Sequence, residues 1–295
     1  MKKIRLIYNP VAGDATFKNR LDTVIKNFQK SGYLVSPYRL MGANDMDNAL
    51  SDIDDKYTAI AISGGDGSIN NLINTMKKNN IDLPIGIFPF GTSNDFAAHM
   101  RIPRNVQKCC EIITSGEILE VDTGVVNGNY FVNVCSAGLL ADVPYKTDIG
   151  MKNSLGKIAY YIKGFEEIPR LRPIRMKMEY DDKIIEDDLY LFLVLNGSTA
   201  GGFPRLAPYA SVYDGLLDVI AIKAANITNI INLIIKALRG EHVEDSNIYH
   251  FQTDNLKISS DQVFESDIDG ERGPTFPLSI RVERRNIKVF ISTRG

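Results

Sequence analysis

The sequence predicts two halves: an α/β half built on a parallel sheet, followed by a mostly antiparallel β half. Three observations carry this. Strand-like and helix-like stretches alternate up to about Glu120, which argues for parallel strands joined by helices. Beyond Glu120 the pattern changes to strands separated by turn dipeptides. Three strand-to-helix corners in the first half carry turn chemistry rich in glycine.

In order, Ile4 to Tyr8 reads as a strand, and Phe17, Leu21, Val24, Ile25 and Phe28 form a helical core-facing stripe. Tyr33 to Arg39 is a second strand, Asp45 to Ile53 a short helix and Thr58 to Ser63 a third strand. A helix opens at the Gly64 turn and runs to about Lys77. Ile85 to Phe88 is a fourth strand, a helix starts near Asn94, and another covers Val106 to Thr114.

The second half reads as strands at Val121 to Val126, Tyr130 to Cys135, Ile174 to Tyr180, Ile184 to Leu195 and Leu217 to Ile222. Further strands are expected at Ile248 to Thr253, Leu256 to Ile258, Leu278 to Val282 and Ile287 to Ile291. Asn127-Gly128, Asp181-Asp182 and Arg285-Asn286 supply hairpin turns. Helical insertions are expected from Leu155 to Ile168 and around Ile227 to Leu238. The domains are therefore drawn as 1–121 and 122–295, with the last residues free to fold back on the first.

Composition bounds the function. The 295 residues are 44% hydrophobic, enough for two ordinary domains, and the formal net charge of -2 gives no drive toward nucleic acid. Three cysteines make no disulfide framework and lack metal spacing. The opening MKKIRLIYNP reads as a first strand rather than a signal peptide, and no apolar run approaches the roughly 18 residues of a membrane span. A soluble, cytoplasmic protein is expected.

The three corners are Asn9-Pro10-Val11-Ala12-Gly13, Gly64-Gly65-Asp66-Gly67-Ser68 and Gly91-Thr92-Ser93-Asn94-Asp95. In a parallel sheet they gather at the carboxyl ends of the strands, where helix-start amides suit a phosphate. One such corner is an ordinary turn, with Asp66, Asn94 or Asp95 as helix caps. Three together argue for a nucleotide or phosphate site. Neither the Walker A loop nor the dinucleotide fingerprint fits.

These residues resemble a family. Gly64 to Ser68 is similar to the GGDGT loop of diacylglycerol, sphingosine and NAD kinases and phosphofructokinases. Asn9 to Gly13, Pro89 to Ala97, Asn196 to Gly202, Ala207 to Ala210, Asp214 to Asp218 and Asp269 to Glu271 look, in that order, like the soluble bacterial diacylglycerol-kinase-type lipid kinases. Ser68 and the Arg39-Leu40 pair depart from the family pattern.

The resemblance implies a Rossmann-like, NAD kinase-like first domain, a β-sandwich second domain, ATP in the cleft between them, Mg²⁺ and a lipid hydroxyl as acceptor. Gly64, Gly65, Asp66, Gly67, Ser68, Ile69 and Asn70 would line the nucleotide phosphates, with Thr92 and Asn9 to Gly13 around them. Gly91, Asn94 and Asp95 belong to the same expected site. Asp269 would be the general base, alone or with Glu271. Asp214, with the Ser211 and Leu216 carbonyls, would match a structural Mg²⁺ site.

Some roles follow from chemistry. An acidic residue among phosphate-binding amides makes sense if a divalent cation lies between them, so Asp66 is a candidate catalytic and Mg²⁺ contact. Asp122 either completes that acidic cluster or caps the domain hinge. Asp269-Gly270-Glu271 reads either as a hairpin turn or as two carboxylates serving an acceptor hydroxyl.

A lipid acceptor asks for transient peripheral contact with a membrane. Two basic clusters are available, Lys163, Arg170, Arg172, Arg175 and Lys177, then Arg281, Arg284, Arg285 and Lys288; a solvated, ion-paired face is the plainer reading. A homodimer is left open. Two other readings compete: an NAD-kinase-type enzyme with a soluble substrate, and a non-catalytic nucleotide sensor.

Overall fold

The computed structural model describes residues 2–42, 45–138, 172–201, 203 and 205–292. The chain divides into two compact units, Met1–Val121 with Arg285–Gly295, and Asp122–Arg284. The helix expected from Leu155 to Ile168 lies outside the described residues, as do Lys163 and Arg170.

The first unit holds strands β1 (Lys2–Tyr8), β2 (Tyr33–Arg39), β3 (Tyr57–Gly64) and β4 (Ile85–Pro89) in the order β2-β1-β3-β4, all parallel. Its helices are α1 (Leu21–Lys30), α2 (Met46–Leu50), α3 (Asp66–Lys78), α4 (Asp95–His99) and α5 (Val106–Ser115). Every residue of β3 except Thr58 is buried, as a parallel strand covered on both faces requires. Helix α1 turns Val24 and Phe28 inward, and Phe28 meets Phe88 of β4 edge-on. Asn105 caps α5 by accepting from the Lys108 amide, and left-handed Gly116 ends it.

The second unit is antiparallel. Its strands are β5 (Ile118–Val126), β6 (Asn129–Phe131), β7 (Val134–Gly138), β8 (Ile174–Tyr180), β9 (Lys183–Leu195), β10 (Leu217–Lys223), β11 (Ile248–Thr253), β12 (Asn255–Ser260), β13 (Glu265–Ile268), β14 (Glu271–Thr275) and β15 (Leu278–Phe290), with one helix, α6 (Ile227–Arg239), among the described residues. The first residues of β5 and the last of β15 belong to the first unit, where Val289 pairs with Ile85 in parallel. Alternation on β10 separates two cores: Leu217, Val219 and Ala221 face the main cluster with Phe192 and Ile280, while Ile220 faces Leu195 and, on α6, Leu233.

Two sequence expectations are corrected. Tyr130 to Cys135 is two strands, because Val132 and Asn133 leave the ladder and turn their amides to Asp269. Leu278 to Val282 and Ile287 to Ile291 are one strand, β15, without a hairpin at Arg285-Asn286. Arg285 takes a left-handed φ of 50° inside that strand, and the apolar runs flanking it are buried in different units.

Candidate active site

In the first unit the three glycine corners meet. The Asn9 amide donates to Ser63 O at 3.1 Å, and the Phe90 amide to Gly64 O at 3.0 Å. A Cβ on Gly91 would stand 2.2 Å from the Gly65 Cα, so these corners touch backbone to backbone. Gly13 has a left-handed φ of 56°, and a Cβ there would lie 2.3 Å from Phe90 O. Only glycine permits these approaches.

Helix α3 begins at Asp66, so the Asp66 and Gly67 amides lie in its first turn, where no helical carbonyl precedes them. Together with the dipole they favour an anion. No Lys or Arg occurs in 9–13, 64–70 or 91–95, so the positive character comes from backbone alone.

The Asp66 carboxylate points elsewhere. Its Oδ2 accepts from the Asp95 amide at 3.1 Å and its Oδ1 from the Phe96 amide at 3.0 Å. It therefore caps α4 from a distance in sequence. Asn94 has a left-handed φ of 57° and spends its side chain on Gly91, accepting from that amide and donating to that carbonyl, each at 2.7 Å. Among the expected nucleotide residues, Asn94 is thus consumed by loop closure and Ile69 is a core side chain. Thr92 and Val11 are exposed, and Asn9 Oδ1 accepts from the Val11 amide.

In the second unit β13 and β14 form a hairpin, with Ile268 opposite Glu271. The turn is Asp269-Gly270, with φ of 52° and 88°, the mirror-image geometry that suits tight hairpins. The hairpin turn is therefore present, with Asp269 at its first position. Asp269 Oδ2 accepts from Val132 N at 2.8 Å, and Oδ1 from Asn133 N at 2.9 Å and Val134 N at 2.8 Å. These three donors stabilise the anion. Asp269 is buried and Glu271 exposed. The cradle amides were not anticipated; the available signal was Asn133, a polar residue interrupting an apolar run.

Asp122 is buried in the second unit, where its Oδ2 accepts from Gly215 N at 2.7 Å and its amide donates to Val212 O at 2.7 Å. It holds the Ser211 to Leu216 turn. Asp214 accepts from Leu216 N at 3.0 Å; its carboxyl is raised by partial burial and then by the charges of Asp218 and Asp122. Asp218 is satisfied by His250 and Gln252. Ser211 Oγ is buried without a partner.

One surplus carboxylate, an orphaned hydroxyl and loop carbonyls fit Mg²⁺, which takes one or two carboxylates and keeps waters. Among the described residues no cluster of three or more His, Cys, Asp or Glu is arranged for a metal, and no helix is long and apolar enough to cross a membrane.

Comparison with known proteins gives the family and the fold. A model for the diacylglycerol kinase catalytic domain matches residues 3–126, and one for the YegS C-terminal NAD kinase beta sandwich-like domain matches 133–291. A diacylglycerol kinase of Bacillus subtilis is 36% identical over 279 residues, covering 94% of this chain and 92% of the relative. The chain belongs to the diacylglycerol kinase family.

A diacylglycerol kinase of Staphylococcus saprophyticus is 31% identical over 98% of this chain and 95% of its own. The crystal structure of a diacylglycerol kinase from Bacillus anthracis superposes with a TM-score of 0.83 at 26% identity, covering 99% and 98% of the two chains. The protein is accordingly a kinase, a transferase, with a mixed sheet and a β-sandwich-type second domain.

In this kinase the described members of the basic clusters are largely paired. Arg175 meets Glu186 at 3.2 Å, Lys177 meets Glu179 at 2.5 Å, Arg281 meets Glu283 at 2.6 Å and Arg284 meets Asp254 at 3.5 Å. They form a solvated, ion-paired face.

Proposed function

We propose that this kinase transfers the γ-phosphoryl group of ATP, with Mg²⁺, to the hydroxyl of a lipid alcohol such as diacylglycerol. The observation that carries the nucleotide half is the backbone contact of Gly65 with Gly91 beneath the free amides of α3. Phosphoryl transfer asks chiefly for positioning and charge neutralisation, and this corner supplies both without a lysine.

The first unit is read as the nucleotide site. Backbone at Gly64 to Asn70, Asn9 to Gly13 and Gly91 to Asp95 receives the phosphates, with Thr92 offering an exposed hydroxyl. Asp66 orients the third corner by capping α4; with Mg²⁺ bound, the same carboxylate would be the acidic group of this corner available to the ion or to one of its waters. Bound Mg²⁺ neutralises phosphate charge; Asp214 with the Ser211 and Leu216 carbonyls would hold a second, structural ion. The second unit is read as the acceptor side, where Asp269, with Glu271, takes the hydroxyl proton. A loose transition state releases that proton late, which suits a base already stabilised as an anion.

The working location is the cytoplasm, with transient contact to a membrane that presents the lipid. Since the described basic residues are mostly paired, that contact is expected to depend little on salt.

The test is labelled ATP and Mg²⁺ with the purified protein, offered mixed micelles of diacylglycerol, sphingoid or ceramide, and NAD in parallel. Label in a lipid supports the proposal. Label in NADP instead, or nucleotide binding without transfer, overturns it.

A further inference from the structure

Asn196 stands just beyond β9, in a motif to which no role has been given above. It is fully buried. Its Nδ2 donates twice, to Asp122 O at 2.9 Å and to Val132 O at 3.0 Å. Its amide donates to Asn133 O at 2.9 Å. Val132 and Asn133 are also the residues whose amides hold Asp269. Asp122 is the residue whose carboxylate holds Gly215 in the Ser211 to Leu216 turn. One side chain therefore ties the cradle of Asp269 to the anchor of the acidic turn, and every link lies in the second unit.

We propose that Asn196 is a positioning residue that fixes the Asp269 carboxylate by clamping the 132–133 backbone to Asp122. The chemistry requires asparagine. Two carbonyls, from segments distant in sequence, converge on one nitrogen, and only a primary carboxamide of this length offers two N–H donors there. Val132 and Asn133 lie outside the β6 and β7 ladders, so the sheet does not hold their carbonyls for them. Aspartate would set a negative charge against both oxygens, alanine would remove the shared donor from both, and serine could replace it for one.

The inference rests on the reading of Asp269 as the base, and the experiment has an arm independent of activity. Hydrogen exchange is followed for the segment 130–135, with β4 in the first unit as reference, in the wild type, Asn196→Ala and Asn196→Ser. In Asn196→Ala, exchange at 130–135 is expected to rise roughly tenfold or more while β4 is unchanged, since local opening need not be global. In the same protein kcat should fall by about 10²-fold, as for a misplacement of order 1 Å, with KM for ATP held within about twofold. Asn196→Ser should fall between, and it replaces Asn196→Ala if the latter does not fold.

Unchanged exchange at 130–135, or a rise spread equally through the strands of the second unit, overturns the inference. So does a kcat near wild type. If the wild type transfers no phosphate to any lipid, the proposed lipid-kinase activity fails separately and exchange alone decides for or against the clamp.

Discussion

Asp66 reaches across to Asp95: the Asp95 amide donates to its Oδ2 at 3.1 Å, and the neighbouring Phe96 amide donates to its Oδ1 at 3.0 Å. The carboxylate in the glycine turn thus faces the positive start of α4. Losing a helix cap costs about 0.5–2 kcal/mol. Asp66→Ala should lower the melting temperature as well as activity, and Asp66→Asn, which keeps one acceptor oxygen, should lie between. A fully active or thermally unchanged Asp66→Ala would sink this double role.

The corner contact predicts steric sensitivity. Gly91→Ala would force a Cβ to 2.2 Å from Gly65, and backbone must move to relieve it. Nucleotide affinity, read by calorimetry or fluorescence, should fall while the second unit keeps its exchange protection. Thr92→Ala, one residue on and exposed, should cost far less stability.

Asp269 and Glu271 separate by burial. Asp269→Asn removes one acceptor oxygen from the three-amide cradle, so it should lose stability as well as about 10²–10⁴-fold in kcat. Glu271→Gln, on the surface, should stay within about 0.5 kcal/mol of wild type. If Glu271→Gln loses more activity than Asp269→Asn, proton transfer belongs to Glu271.

Removing the metal has a local reading. Chelation should lower the melting temperature of the wild type and leave Asp214→Asn unaffected, since Asp214 is the carboxylate left over once Asp122 and Asp218 have their donors. A chelator effect that survives Asp214→Asn places the ion elsewhere.

Two histidines set an acid limit. Burial lowers His242 below 6.5 despite its bond to Leu206 O, and burial with the Arg101 charge lowers His99. The unfolded chain therefore takes up protons first as pH falls through 6.5, and stability declines from there down to the lowered values. Above that window these groups are silent. A pH series of melting temperatures should be flatter for His242→Gln, whose Nε2 can replace the ring Nε2 as donor to Leu206 O without titrating.

Much of the fold was legible because its signals are local. Tyr33–Arg39 and Ile248–Thr253 follow from apolar patterning and turn residues at their ends, and their expected bounds equal the observed ones. The three corners were legible for the same reason, since glycine, asparagine and aspartate at helix starts carry their own geometry. What was not legible arises between segments remote in sequence. The break between β6 and β7 exists because an aspartate some 135 residues downstream takes those amides. The continuity of β15 through Arg285 exists because each half finds a partner in a different unit.

The sequence by itself singled out the candidate carboxylates: one in a glycine corner, a second in a hairpin turn and a third in an acidic loop. Tertiary structure alone decided what each carboxylate touches. Asp66 caps a helix, Asp122 holds the Asp214 turn, and Asp269 sits in a nest of amides kept in place by Asn196. The physical reason is reach. Propensity and periodicity are felt over a few residues, whereas a carboxylate's donors are whatever backbone the folded chain brings within about 3 Å.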